Sequence, residues 1–524
     1  MTELLTLLES LSTQGGESLR GIRRGLEKEA LRITPTGRLA QTPHPRSLGS
    51  ALTHPHITTD FSEALLEFIT PPCTSIHEML SWTDEIHRFS IHKLKEQNEL
   101  LWLSSMPCVI EGDDSIPIAE YGSSNIAQMK HIYRVGLSYR YGRSMQTIAG
   151  IHYNFSLPDE FWKILKVMEN RHDCLQEYKT EKYFALIRNF RRYFWLLLYL
   201  FGAAPALCPT FVKNRQHSLQ KFREKTLYLP YATSLRMGNL GYQSRAQEGL
   251  VVDYNSLETY IQTLLKGLTT LHPDYEKIGV CIKGAYRQLN ANLLQIENEF
   301  YSTIRPKHSV SYGEAPINAL RERGVEYIEV RSIDVNPFDP LGMNATQAHF
   351  LEAFLLFCLL EPSPPSNIDE YKQIAENQRL VVNEGRDPLL EIYCHGKKIS
   401  LRTCGKYLLN PIRKCADLLD QAMGSSIYSA SIFPQVEKID DPQKTPSARM
   451  LETMAENNLS FYELALKQSQ EHCRDFLLRP LDRERDYYFD NLRSESVREQ
   501  LNIERNDHLT FKKYLENYFQ QYLK

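Results

Sequence analysis

Apolar residues recur at intervals of three and four through Ile76–Glu96, Leu257–Leu271 and Met343–Glu361, the spacing that gives an α-helix one buried stripe. Elsewhere the period drops to two. Across Met145–Leu157, Gln146, Ile148, Gly150, His152, Asn154 and Ser156 alternate with Thr147, Ala149, Ile151, Tyr153, Phe155 and Leu157, which predicts a strand with one wet face and one core face. Glu326–Asp334 alternates in the same way and puts Tyr327, Glu329, Arg331 and Ile333 on one face, while Leu289–Phe300 does so more weakly. Helices interspersed with strands in no regular strand-helix-strand rhythm predict an α+β fold with a mixed or antiparallel sheet.

Prolines 362, 364 and 365 make Glu361–Glu370 a linker, because none of them fits inside a helix or a central strand. It divides a core of residues 1–360 from a section, 361–524, that is mostly helical, increasingly charged and expected to pack on the core. The longest apolar run, Tyr193–Cys208, is shorter than the roughly 20 residues a bilayer span needs and contains Gly202 and Pro205. It reads as a buried helix ending near Gly202. The first residues carry Glu3 and Glu9 where a secretory signal needs a basic and then an apolar region, and the ten cysteines form no C-x-x-C pair, so a cytoplasmic protein with reduced thiols is expected.

Charge adds an exclusion. With 61 basic and 64 acidic residues in 524, a net charge of −3 gives no general attraction to nucleic acid or to an anionic membrane. Any charge-based function is local. Phosphate-loop and dinucleotide fingerprints are absent, as are H-E-x-x-H and G-x-S-x-G.

What remains is a set of acids in patterned surroundings. In Arg24–Ile33 a strand puts Glu27 and Glu29 on the face of Leu31 and Ile33, with Arg24, Lys28 and Arg32 opposite; a helix fits as well, with Leu26, Ala30 and Ile33 as its stripe. Ile57–Pro72 holds Asp60 and Glu67 in an apolar segment. As a strand it buries Glu67, which must then be neutralised, paired or metal-bound; as a helix it leaves the acid on the surface. His152 stands on the wet face of its strand beside Gly150, where a ligand could approach the sheet closely. Leu294–His308 alternates Leu294, Ile296 and Phe300 with Gln295, Glu297, Glu299 and Tyr301 before a basic turn with Arg305 and Lys307. Four candidate strands with acidic or metal-capable faces suggest a sheet that cradles cations. Oxygen donors with one imidazole suit Mg²⁺ or Mn²⁺, such a cluster most often serves a phosphate chain, and Arg331 beside Glu329 would then hold a moving phosphoryl group.

The blocks GIRRGLEKEALRI, SALTHPHITTDFSEALLEFITP, SSMPC, YGSSN, GRSMQTIAGIHYNFSLP, YLPYATSLRMGNLGY, LLQIENEFYSTIRPK and GVEYIEVRSIDVNPF run in order from about residue 20 to 345 and together resemble the proteobacterial glutamate-cysteine ligase family. After about residue 360 only TPSARML aligns, and no site residue comes from that region. The resemblance implies a glutamine synthetase-like fold, a curved and largely antiparallel sheet forming a funnel with surrounding helices. It also implies ATP-dependent joining of the glutamate γ-carboxyl to the cysteine amine through γ-glutamyl phosphate, the first step of glutathione biosynthesis. Glu27, Glu29, Asp60, Glu67, His152 and Glu329 would surround Mg²⁺, for which Mn²⁺ can substitute, with ATP as co-substrate. Arg331 would stabilise the transferring phosphoryl group. Tyr133, Leu137, Gln146, Tyr242 and Tyr301 would form the cysteine pocket, and Arg134 and Arg236 would meet a substrate carboxylate or phosphate. The resemblance selects the strand for Arg24–Ile33. A monomer is expected, with glutathione as feedback inhibitor and no nucleic-acid or membrane partner. Three rivals stay open: a related ligase that uses another amine, a metal-dependent hydrolase in which the same acids activate water, and a non-catalytic binding protein.

Overall fold

The computed structural model describes every residue except 1, 108, 214, 242–246, 248 and 524. Seven strands form its main sheet: β1 (Arg23–Ile33), β2 (Ile57–Thr59), β3 (Leu65–Ile69), β4 (Leu100–Trp102), β5 (Gly150–Ser156), β6 (Ile304–Lys307) and β7 (Tyr327–Asp334). Their spatial order is β6-β7-β5-β1-β3-β2, β4 pairs with the end of β1, and every pairing is antiparallel. The α+β class expected from the patterning is the class observed.

Three of the four acidic segments read as strands do form them. Arg23–Ile33 is a strand and not a helix, because β5 on one side and β3 and β4 on the other take up its backbone groups. Glu67 lies inside β3. Leu289–Phe300 is the exception. It runs without a strand through a short 3-10 turn at Glu297–Glu299, and the strand begins later, at Ile304, so that Arg305 and Lys307 lie in β6 and not in a turn. Apolar residues at alternate positions there reflect packing of a loop, with the Glu299 carboxylate accepting from the Gln295 amide at 2.7 Å.

One face of the sheet is covered by helices. Ile76–Lys95, whose N-cap Ser75 accepts from the Glu78 amide at 3.1 Å, packs on β1, β3 and β4, while Leu175–Tyr193 and Trp195–Phe201 pack on β6 and β7. The apolar run from Tyr193 thus ends its helix at Phe201, with Gly202 as C-cap. No helix among the described residues is long and apolar enough to cross a membrane. Ala345–Leu360 is buried along almost its whole length between Leu175–Tyr193, Leu401–Met423 and Ile427–Asp440. Residues 361–366 form no regular element, and the chain beyond is helical except for a hairpin of Glu391–Cys394 with Lys397–Ser400.

The covered face of β1 holds Arg24, Lys28 and Arg32, all nearly inaccessible, each with a partner on a neighbouring element. Arg32 meets Glu99 at 2.7 Å, and the Lys28 ammonium lies 2.9 Å from His87 Nε2. Arg24 meets Glu352, which also accepts from the hydroxyls of Tyr153 and Tyr428, all within 2.7–3.0 Å. Glu352→Gln should therefore lower stability by about 3–5 kcal/mol, because it leaves a buried guanidinium unneutralised. Urea unfolding measures this, and a loss below about 1 kcal/mol would show that the pair does not tie the helix to the sheet.

Candidate functional site

The other face of the sheet is acidic because register, not sequence proximity, sets its side chains opposite one another. Glu27 pairs with His152, Glu29 with Glu67, Thr58 with Glu67, Asn154 with Glu329, and Glu329 with Arg305. Directly opposed residues of an antiparallel pair share a face, so five strands aim these groups into one space. Asp60 succeeds β2, its amide donating to the Leu65 carbonyl at 3.0 Å. A register shift between Val330 and Ile333 exchanges the two faces in the last part of β7. Ile333 turns to the core opposite Ile151, and not to the face of Glu329 and Arg331 as strict alternation predicts. Asp334 pairs instead with Gly150 and sits 3.5 Å from Arg236. Gly150 is required here, since a Cβ would overlap the Arg236 guanidinium. What approaches the sheet at this glycine is the protein's own arginine.

These groups line a cavity of about 710 Å³. Helix Asn125–Tyr141 forms another wall, with Ile126, Met129, Lys130, Tyr133, Arg134 and Leu137 facing inward at helical spacing. Gln146 donates to the Tyr301 hydroxyl at 2.9 Å beside it. Arg236, Met237 and Gln378 line a smaller adjoining pocket of about 140 Å³ that shares His152, Tyr301 and Arg331 with the first.

Inside, His152 Nδ1 lies 3.1 Å from Glu27 and 4.0 Å from Glu329, and its Nε2 is 3.8 Å from Glu29. Asn154 donates to Glu27 at 2.8 Å and the Gly150 amide to Glu29 at 2.6 Å. Arg331 and Lys307 flank Glu329 at 3.2 and 3.4 Å. Burial opposes ionisation of all these acids, and their neighbours divide them. Lys307, Arg331 and His152 outweigh burial at Glu329 and hold it well below the usual carboxylate range. At Glu27 burial is likewise outweighed, by the His152 hydrogen bond, and the group is lowered. Toward β3 the balance reverses. Burial and then Asp60 push Glu29 up to about 8, and burial with Glu27, Asp60 and Glu29 holds Glu67 well above its ordinary value. His152 is lowered by burial and by Arg331, which keeps its ring neutral and able to donate a lone pair.

Ligand atoms of Glu27, Glu67 and His152 all lie within 4.8 Å of one another. Hard oxygens with one imidazole, and two carboxylates that stay protonated for want of positive charge, fit a bound Mg²⁺ or Mn²⁺.

All six residues expected to surround the metal line the large cavity, as do Arg331, Tyr133, Arg134, Leu137, Gln146 and Tyr301. Arg236 lines the adjoining pocket, and Tyr242 lies outside the described residues. Lys130 is not among the residues expected from sequence, although it shares the helical stripe of Tyr133, Arg134 and Leu137. Nor is any residue beyond 360, yet Tyr514 and Tyr518 of helix Phe511–Gln520 reach the cavity. No local signal marks those two, which stand at an i, i+4 spacing common to any buried helix stripe.

The sequence model of the glutamate-cysteine ligase family matches residues 8–381. A glutamate–cysteine ligase of Saccharophagus degradans is 51% identical over 508 residues, covering 96% of this chain and 95% of that one. One from Alcanivorax borkumensis is 48% identical over 514 residues, covering 97% and 98%. The crystal structure of a Francisella tularensis glutamate–cysteine ligase in complex with AMP superposes with a TM-score of 0.90 at 34% identity, covering 95% of this chain and 98% of that one. A bifunctional glutathione synthetase from Pasteurella multocida superposes with a TM-score of 0.74 at 25% identity, over 93% of this chain and 58% of that one.

Proposed function

The chain belongs to the glutamate-cysteine ligase family and is a ligase, and from that premise we propose that it joins the γ-carboxyl of glutamate to the amine of cysteine at the expense of ATP, through γ-glutamyl phosphate. The observation that carries this reading is the convergence of Glu27, Glu29, Asp60, Glu67, His152 and Glu329 on one cavity with Arg331 beside Glu329.

A carboxylate oxygen is a poor leaving group. Attack of the γ-carboxylate on the terminal phosphorus of ATP forms an O–P bond and releases ADP, and the cysteine amine then attacks the acyl carbon, expelling phosphate. The chain's task in the first step is to bring two anions together and offset charge as it moves. Glu27, Glu29, Asp60, Glu67, His152 and Glu329 would hold Mg²⁺, which neutralises phosphate oxygens when bound. Arg331 is suited to the transferring phosphoryl group, because Glu329 fixes its direction without burying it. Tyr133, Leu137, Gln146 and Tyr301 give an apolar and hydroxylic wall suited to a small thiol side chain, with Tyr242 as a further member by family likeness. Arg236 would meet an anionic group of a substrate at the adjoining pocket.

The order of events is testable. With ATP, Mg²⁺ and glutamate but no cysteine, hydroxylamine should trap γ-glutamyl hydroxamate, and adding cysteine should suppress the trapping by competition. Hydroxamate that forms equally without ATP would overturn the acyl-phosphate route, and its complete absence with ATP would favour the hydrolase. A panel of amines that outcompete cysteine would point instead to a ligase for another acceptor.

A further inference from the structure

Most of the cationic groups around the cavity have an acidic partner. Lys307 and Arg331 face Glu329, and Arg236 faces Asp334. Lys130 and Arg134 differ. Among the described residues neither has a carboxylate within ion-pair distance. Arg134 donates from Nη1 to the Lys130 carbonyl at 2.8 Å and from Nε to the Asp60 carbonyl, which orients it without neutralising it. Both cations lie over the same ring: Lys130 Nζ is 4.9 Å and the Arg134 guanidinium carbon 4.8 Å from the Tyr121 centroid. Tyr121 is itself pinned, its hydroxyl donating to the carbonyls of Thr59 at 2.9 Å and Asp60 at 3.0 Å.

Two like charges gathered on one aromatic face and turned into a cavity call for an anion. Burial and then Arg134 draw the Lys130 ammonium down to about 8, which still leaves it largely protonated at neutral pH. The sheet order decides which anion. Arg331, Arg305 and Lys307 stand on β7 and β6 at one edge, and Lys130 and Arg134 stand beside Asp60 and Glu67 at the other, with β5 and β1 between. A phosphate chain held at the first edge leaves the second for the part of the donor that does not react. In glutamate that part is the α-carboxylate, whose carbon lies about 5 Å from the γ-carboxyl carbon in an extended chain. The acceptor wall at Leu137 is seven residues further along the same helix, about 10 Å from Lys130 along its axis.

We propose that Lys130, together with Arg134, binds the α-carboxylate of the glutamate donor and so selects an amino acid over a simple carboxylate. This deepens the ligase reading and depends on it. The assay is hydroxamate formation with ATP and Mg²⁺, which removes the acceptor from the measurement. Lys130→Met should raise KM for glutamate about 10- to 100-fold, the range for losing a charge-assisted hydrogen bond, with kcat within about threefold and KM for ATP little changed. Lys130→Arg should recover most of the loss. A second arm compares glutamate with 4-aminobutyrate, which keeps the reacting carboxyl and lacks the other. The wild type should prefer glutamate, and Lys130→Met should lose most of that preference, which a merely structural role would not move.

An unchanged glutamate KM, or an unchanged preference, in Lys130→Met overturns the assignment. A rise in KM for ATP alone makes the pair a phosphate site, and a rise in KM for cysteine alone, measured in the full reaction, makes it an acceptor site; either rejects the donor role. Wild-type enzyme that forms no ATP-dependent hydroxamate would reject the ligase reading itself, a result separate from any of these.

Discussion

Glu67→Gln should lose about 10²- to 10³-fold in kcat/KM while remaining folded, the scale expected when a metal-held charge distribution is removed from a phosphoryl transfer. Glu67 lies in β3 opposite Glu29, and burial with the neighbouring acids holds its pKa well above 4.5. The amide keeps the shape and removes the charge that a divalent ion would meet. Stability supplies an independent reading. A carboxyl whose folded pKa is raised contributes stability at low pH, and that contribution declines as pH climbs above the unfolded value. Without metal, the wild type should therefore lose ground to Glu67→Gln between pH 5 and pH 8, and added Mg²⁺ should restore the wild type only. Urea unfolding in EDTA at the two pH values measures the gap. A gap that does not widen, or a variant with near-normal turnover, would return Glu67 to an ordinary buried acid.

Arg331→Ala should lower kcat about 10³-fold or more and change KM for ATP much less, by analogy with arginines that meet a transferring phosphoryl group. The guanidinium is held 3.2 Å from Glu329 yet remains partly open to the cavity, its side chain 23% accessible. It is therefore already oriented, so that its attraction strengthens as charge develops on the phosphoryl oxygens and costs little reorganisation. Steady-state kinetics with ATP varied at saturating glutamate separates the roles. Equal losses in binding and turnover would make Arg331 a ground-state clamp, and a KM effect alone would remove it from the chemistry.

Periodicity identifies which residues share a face wherever a strand is straight. Glu27 with Glu29, and His152 with Asn154, are readable as pairs before any strand has a neighbour, because side chains alternate with a period of two. The helical stripe of Tyr133, Arg134 and Leu137 is readable for the same kind of reason, and Lys130 belongs to it by spacing alone. Family likeness then chooses among readings that periodicity leaves balanced, such as strand or helix for Arg24–Ile33.

Where alternation breaks, pattern misleads. Ile333 falls on the core face because one extra residue between Val330 and Ile333 reverses the sides, and nothing in the apolar pattern of Glu326–Asp334 announces a bulge. Leu289–Phe300 alternates without pairing, since a strand requires a partner edge and this segment has none.

The sequence by itself determined the α+β class, the segments that carry the acids and the face on which most of them lie, because these depend on local spacing. Only the tertiary structure decided that Glu29 stands across from Glu67, that Arg236 fills the space at Gly150, and that Tyr514 and Tyr518 close on residues almost four hundred positions away. It also decided that Lys130 and Arg134 share one aromatic ring with no acid to meet them, since Tyr121 comes from a loop outside their helix. The physical reason is that charge balance in a cavity is a sum over elements that meet only on folding. A residue's own neighbours in sequence set its direction, while the groups it must neutralise arrive from other strands.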